Sequence, residues 1–139
     1  MYASVVVGTD GSDTATSAVR QAIELAALVG ARLHVVTVYK PTAPSTVPAD
    51  LAAESGPAGH AESVLKDMAS QARAAGVDVV THAETGDPAD AIVTVAAREA
   101  ADLIVVGNKG MHGARRVLGS VPNSVAHKAP CSTLIVETT

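Results

Sequence analysis

The sequence predicts a doubly wound α/β domain, and three observations carry that reading. Short apolar runs such as Val5-Val6-Val7, Leu33 to Tyr39 and Leu103 to Val106 read as buried strands. Segments with apolar residues at helical spacing separate them, so each crossover carries a helix and neighbouring strands run parallel. Two of the runs empty directly into glycine, at Gly8 and Gly107, as strands do where they end in a loop. The expectation is one Rossmann-like domain over residues 1–139, with a five-stranded, mainly parallel sheet in the order 3-2-1-4-5 and four helices.

Taken in order, Val5 to Val7 is strand one and ends at Gly8-Thr9-Asp10-Gly11-Ser12. From Thr14 to Val29 the residues Ala15, Ala18, Val19, Ala22, Ile23, Ala26 and Val29 mark the buried stripe of a helix, stopped by Gly30. Leu33 to Tyr39 is strand two. Lys40 to Pro57 holds four of the seven prolines and reads as a long loop, either a lid or a surface insertion. Ala61, Val64, Leu65, Met68, Ala69 and Ala72 mark the second helix, and Asp78 to Glu84 the third strand. Gly86-Asp87-Pro88 then supplies a turn, a capping aspartate and a proline at the first helical position, ahead of Ala91, Ile92, Val95 and Ala96. Leu103 to Gly107 is strand four. Ser120 to Lys128 is a short helix with Ser120 as its expected N-cap, and Thr133 to Glu137 is the last strand.

Composition excludes several classes. With 47% hydrophobic and 17% charged residues the chain is not intrinsically disordered. Tyr2 and Tyr39 are the only aromatics and the net charge is -4, which disfavours base-stacking and phosphate-backbone binders of nucleic acid. The single Cys131 cannot form an intrachain disulfide, and a reducing compartment is expected. No basic leader precedes Val5 and no run approaches the ~20 apolar residues of a membrane span, so a cytoplasmic protein is expected, with no membrane partner.

Function concentrates between Val105 and Asn123. Gly107, Gly110, Gly113 and Gly119 fall there, followed by a helix start whose free N–H groups suit an anion. No Asp or Glu occurs from Leu103 to Val136, whereas Lys109, Arg115, Arg116 and Lys128 do, so an acidic chain carries a local cationic segment. In the order 3-2-1-4-5, strands one and four adjoin where the order reverses, and their loops face one crevice. Neither G-x-x-x-x-G-K-[ST] nor G-x-G-x-x-G is present, which disfavours a P-loop nucleotidase and an ordinary dinucleotide dehydrogenase.

Gly107-x-x-Gly110, then Gly119-Ser120 and Val121-Pro122-Asn123-Ser124-Val125, resembles the nucleotide-binding signature of the universal stress protein family. Val6 to Ser12, Gly86-Asp87-Pro88, Asp102 to Gly107 and Ala129-Pro130-Cys131 with Leu134-Ile135-Val136 resemble it too. The family pattern has nine residues between the second glycine and the Gly-Ser pair, whereas Met111 to Leu118 is eight.

The resemblance implies a regulatory protein that binds ATP, with cyclic AMP as the alternative because one phosphate fits a tighter loop as well as three do. A dimeric interaction module without nucleotide is the other reading. By matching position, Gly107, Gly110, Gly119 and Ser120 would hold phosphate, with Val106, Asn108 and Val121 lining the loop. Thr9 and Asp10 would face ribose or adenine, and Leu33 would be an apolar adenine-facing position. Arg115 and Arg116 either pair with phosphate or are solvated. Asp10 suits a ribose hydroxyl or a nucleotide-bound Mg2+ or Mn2+ ion, or is an ordinary turn residue. The resemblance also implies a homodimer through the last strand. The five histidines show no metal-ligand or triad spacing, and without a base or nucleophile set any ATP hydrolysis is expected to be slow.

Overall fold

The computed structural model describes residues 2–41, 56–108 and 119–138. Its elements are β1 (Ser4–Gly8), α1 (Asp13–Val29), β2 (Arg32–Tyr39), α2 (Pro57–Ala74), β3 (Val79–Thr85), α3 (Pro88–Arg98), β4 (Leu103–Gly107), α4 (Ser120–Lys128) and β5 (Ser132–Val136). The five strands form one sheet in the order β3-β2-β1-β4-β5, with every neighbouring pair parallel.

Helices cover both faces, which is why β1 and β4 can be apolar at successive positions. On one face Val5, Val7, Leu33, Val35 and Val105 pack against α1 and α2 through Val19, Ala22, Leu65 and Met68. On the other, Val6, Val36, Ile104 and Val106 pack against Ile92 and Val95 of α3 and Val125 of α4. Alanine at Ala18, Ala22 and Ala26 lets α1 approach closely, so a core without Phe or Trp still closes.

Local chemistry sets the helix ends. Ser12 caps α1 by accepting from Ala15 N–H at 3.3 Å, and Gly30 ends that helix at φ 73°, where a side chain would be strained. Asp87 caps α3 by accepting from Asp90 N–H at 3.0 Å, with Pro88 at the first position. Two expectations are corrected here. Pro57 does not belong to the long loop but opens α2, where its missing N–H costs nothing; residues 42–55 of that loop lie outside the described residues. The N-cap of α4 is Gly119 rather than Ser120, so Ser120 is already helical and its hydroxyl is not the cap.

Candidate functional site

The crevice forms where β1 and β4 diverge into their loops, at the carboxyl end of the sheet. Its β1 side is a locked turn. Thr9 N–H donates to Val36 C=O at 2.9 Å, and Thr37 Oγ1 donates to Thr9 C=O at 2.6 Å. Thr9 Oγ1 accepts from Gly11 N–H at 3.1 Å, and Asp10 Oδ1 accepts from Ser12 N–H at 2.9 Å. These side-chain-to-backbone bonds fix the loop before any ligand arrives.

The walls come from every neighbouring element. Val36 and Val38 of β2 and Val106 of β4 give an apolar floor, while Ala15, Ala18 and Ile92 close it from α1 and α3. Thr14, Pro88, Val121 and Pro122 bring three helix starts to the rim, and Thr138 enters from the chain end. Small residues keep the cleft open: a Cβ on Gly8 would lie 2.5 Å from Ile92 Cδ1. Asp10 is the only ionisable lining side chain among the described residues.

The three rim helices start differently. Ser12 and Asp87 consume N–H donors of α1 and α3, whereas Gly119 has no side chain to offer α4. Pro122 has no N–H, so Ser120 and Val121 hold the first-turn donors without an intrahelical acceptor. No acidic residue sits in that turn, and His127 and Lys128 occupy the last. Among the described residues the Ser120 and Val121 N–H groups find no acceptor, so the α4 start is a dipole end beside a cleft, an arrangement that suits an anion.

Of the residues expected at the site, Thr9, Asp10, Val106, Gly107 and Val121 line the crevice. Asn108 stands behind it: its N–H donates to Val136 C=O at 2.8 Å and its carbonyl accepts from Gly119 N–H at 3.4 Å. Ser120 follows Gly119 at the head of α4. Gly110, Arg115 and Arg116 lie outside the described residues. Leu33 is corrected: it is fully buried opposite Val5 and Val79 on the α1 and α2 face, near the amino end of β2, and Val36 and Val38 take the crevice positions instead. Lys128 is turned elsewhere, pairing with Asp90 at 2.9 Å. The sequence reading missed Thr14, Pro88, Ile92 and Thr138, although Gly86-Asp87-Pro88 had already marked one of these helix starts. Among the described residues no group of three or more His, Cys, Asp or Glu could hold a metal ion, and no helix is long and apolar enough to cross a membrane.

Fold and site together define a doubly wound α/β protein with a crevice at the point where the strand order reverses. The family model for universal stress proteins matches residues 1–137. A universal stress protein of Mycobacterium tuberculosis is 40% identical over 145 residues, taking in 99% of this chain and 98% of its own length. The chain belongs to the universal stress protein family. Among solved structures, a universal stress protein in complex with cAMP is 40% identical with a TM-score of 0.79, and 99% of each chain is covered. The Archaeoglobus fulgidus protein in complex with dAMP is 28% identical with a TM-score of 0.72, and 98% of each chain is covered.

Proposed function

We propose that this protein binds an adenine nucleotide in the crevice and acts as a small regulatory stress protein rather than as an enzyme. The observation that carries the reading is the start of α4, which has no side-chain cap and, among the described residues, brings N–H donors without an acceptor to a cleft whose floor is apolar. Phosphate belongs at Ser120 and Val121 N–H, with Gly107 and Gly119 allowing close approach of the backbone. The base belongs against Val36 and Val38. Asp10 faces the ribose, because a carboxylate beside phosphate is repulsive and one already accepting from Ser12 N–H has lone pairs left for a hydroxyl.

Cyclic AMP is the ligand placed first. A universal stress protein 40% identical has been solved in complex with cAMP, and one phosphate fits the eight-residue spacing from Gly110 to Gly119 as well as three do. ATP is the second reading, supported by the complete Gly107, Gly110 and Gly119-Ser120 set; Asp10 would then also face a nucleotide-bound Mg2+ or Mn2+ ion. Calorimetric titration with cyclic AMP, AMP and ATP, with and without Mg2+, tests this directly. Saturable binding of cyclic AMP tighter than ATP is expected, tighter ATP selects the second reading, and no binding of any of them overturns the proposal.

The protein also acts as a homodimer in this reading. Among the described residues β5 pairs only with β4, and Leu134 and Ile135 on it are 42% and 38% exposed, so an apolar edge is left for a second copy. Light scattering at micromolar concentration should give twice the chain mass.

A further inference from the structure

On the α3 face of the sheet, His34 near the amino end of β2 lies beside His82 of β3, which pairs in register with Val36, beneath the end of α3. His34 is only 3% exposed. His34 Nδ1 lies 3.0 Å from His82 Nε2, and His82 Nδ1 lies 3.4 Å from Arg98 Nη2 in the last turn of α3. Arg98 also donates to Glu84 Oε1 at 2.9 Å, and its Nε is 3.6 Å from Glu99 Oε1.

The protons in this chain can be counted. A guanidinium only donates, so His82 Nδ1 supplies a lone pair and the His82 proton sits on Nε2. That proton is donated to His34 Nδ1, which places the His34 proton on Nε2. The neutral pair thus has a single arrangement. A third proton also has a single arrangement: one proton stays in the bond between the rings, and both outer nitrogens carry the others. His82 Nδ1–H then points at Arg98 N–H, a donor against a donor and a cation against a cation.

We propose that the His34–His82 pair is a proton-operated latch, in which uptake of one proton breaks the Arg98–His82 contact and loosens the last turn of α3, leaving the Arg98–Glu84 ion pair to hold it to β3. The last turn of α3 ends beside a strained residue. Ala100, just beyond it, sits at φ 50°, where its Cβ is strained, while Ala101 N–H closes back on Ala96 C=O at 2.8 Å. The charged groups around the pair are Arg98 from α3, Glu99 that caps its end, Glu84 from β3, Asp78 just before β3 and Arg32 from β2. Burial is the main cause holding both rings below the usual histidine range, opposed chiefly by Glu99. The movement reaches the crevice through shared elements, since β2 also carries Val36 and Val38 and α3 begins with Pro88 and Ile92.

Imidazole and amide NMR across a pH titration of the whole protein tests the latch. At neutral pH His82 should be the Nε2–H tautomer. The pair should take up its first proton with a midpoint below about 6.5, and the amides of Arg98, Glu99 and Ala101 and of Val36 and Val38 should shift with that same midpoint. Arg98→Met, at a half-exposed position, should keep the fold and move the midpoint upward. A His82 ring protonated on Nδ1 at neutral pH, last-turn amides silent through the titration, or a midpoint unmoved in Arg98→Met overturns the proposal.

Discussion

Thr138 donates both its backbone N–H and its hydroxyl to Asn108 Oδ1, each at 3.1 Å. The segment leaving β5 is thereby tied to the start of the glycine loop, and the tie sits against the crevice wall: a Cβ on Gly107 would lie 2.9 Å from Thr138 Cγ2. Asn108→Ala removes both bonds and should lower stability by about 1–2 kcal/mol. Urea denaturation measures this, and an unchanged midpoint would show that the tie contributes nothing.

Gly8 is required by a close approach rather than by its backbone angle. The Ile92 side chain 2.5 Å from a built Cβ is itself buried between β1 and α3. Gly8→Ala should therefore push Ile92 off its rotamer and destabilise the protein by about 1–3 kcal/mol. A melting temperature equal to that of the wild type would mean that α3 yields without strain.

Gly119→Asp separates the site from the fold. Gly119 has φ -59° and ψ 162°, which any residue adopts, and an aspartate there would cap α4 as Asp87 caps α3. Stability should stay level or rise by a few tenths of a kcal/mol, while nucleotide affinity should fall at least about tenfold because the carboxylate takes the phosphate's place. Paired melting curves and calorimetry read both effects, and undiminished affinity would remove the phosphate from the α4 start.

Acid should weaken the fold through His34 and His82. Burial lowers both in the native state, so below about pH 6.5 the unfolded chain binds protons that the native chain refuses. Stability is then complete above about pH 6.5 and falls as pH drops from there toward the native-state values. Denaturation midpoints at several pH values between 5 and 8 should show that decline, and His82→Gln should flatten it. A midpoint that rises on acidification contradicts the sign.

Much of the fold was legible because the signals were local. Apolar runs marked the strands, Gly30 marked the end of α1, and Asp87-Pro88 marked the start of α3; each acts within a few residues of itself. The crossovers implied a parallel sheet, and taking the order as 3-2-1-4-5 placed the Gly8 and Gly107 loops side by side. What escaped depended on distance in space. Periodicity makes Leu33 and Val36 equally apolar, and only the completed sheet shows that Val36 is the one at the crevice end. Lys128 looked like part of a cationic loop until α3 brought Asp90 to it. Thr138 carries no motif, since its role arises where β5 delivers it to Asn108. The N-cap of α4 was misread because Gly119-Ser120 offers two adjacent starts, and the backbone uses the earlier one.

The central claim is the position of the ligand, and amide chemical-shift mapping with cyclic AMP tests it most directly. On titration the amides of Thr9, Val36, Gly107, Ser120 and Val121 should move together and saturate, while those of Ala31, Gly76 and Val77 at the opposite end of the sheet stay still. Saturable shifts centred on the opposite end, or none at all with cyclic AMP, AMP or ATP, would contradict a nucleotide site at the start of α4.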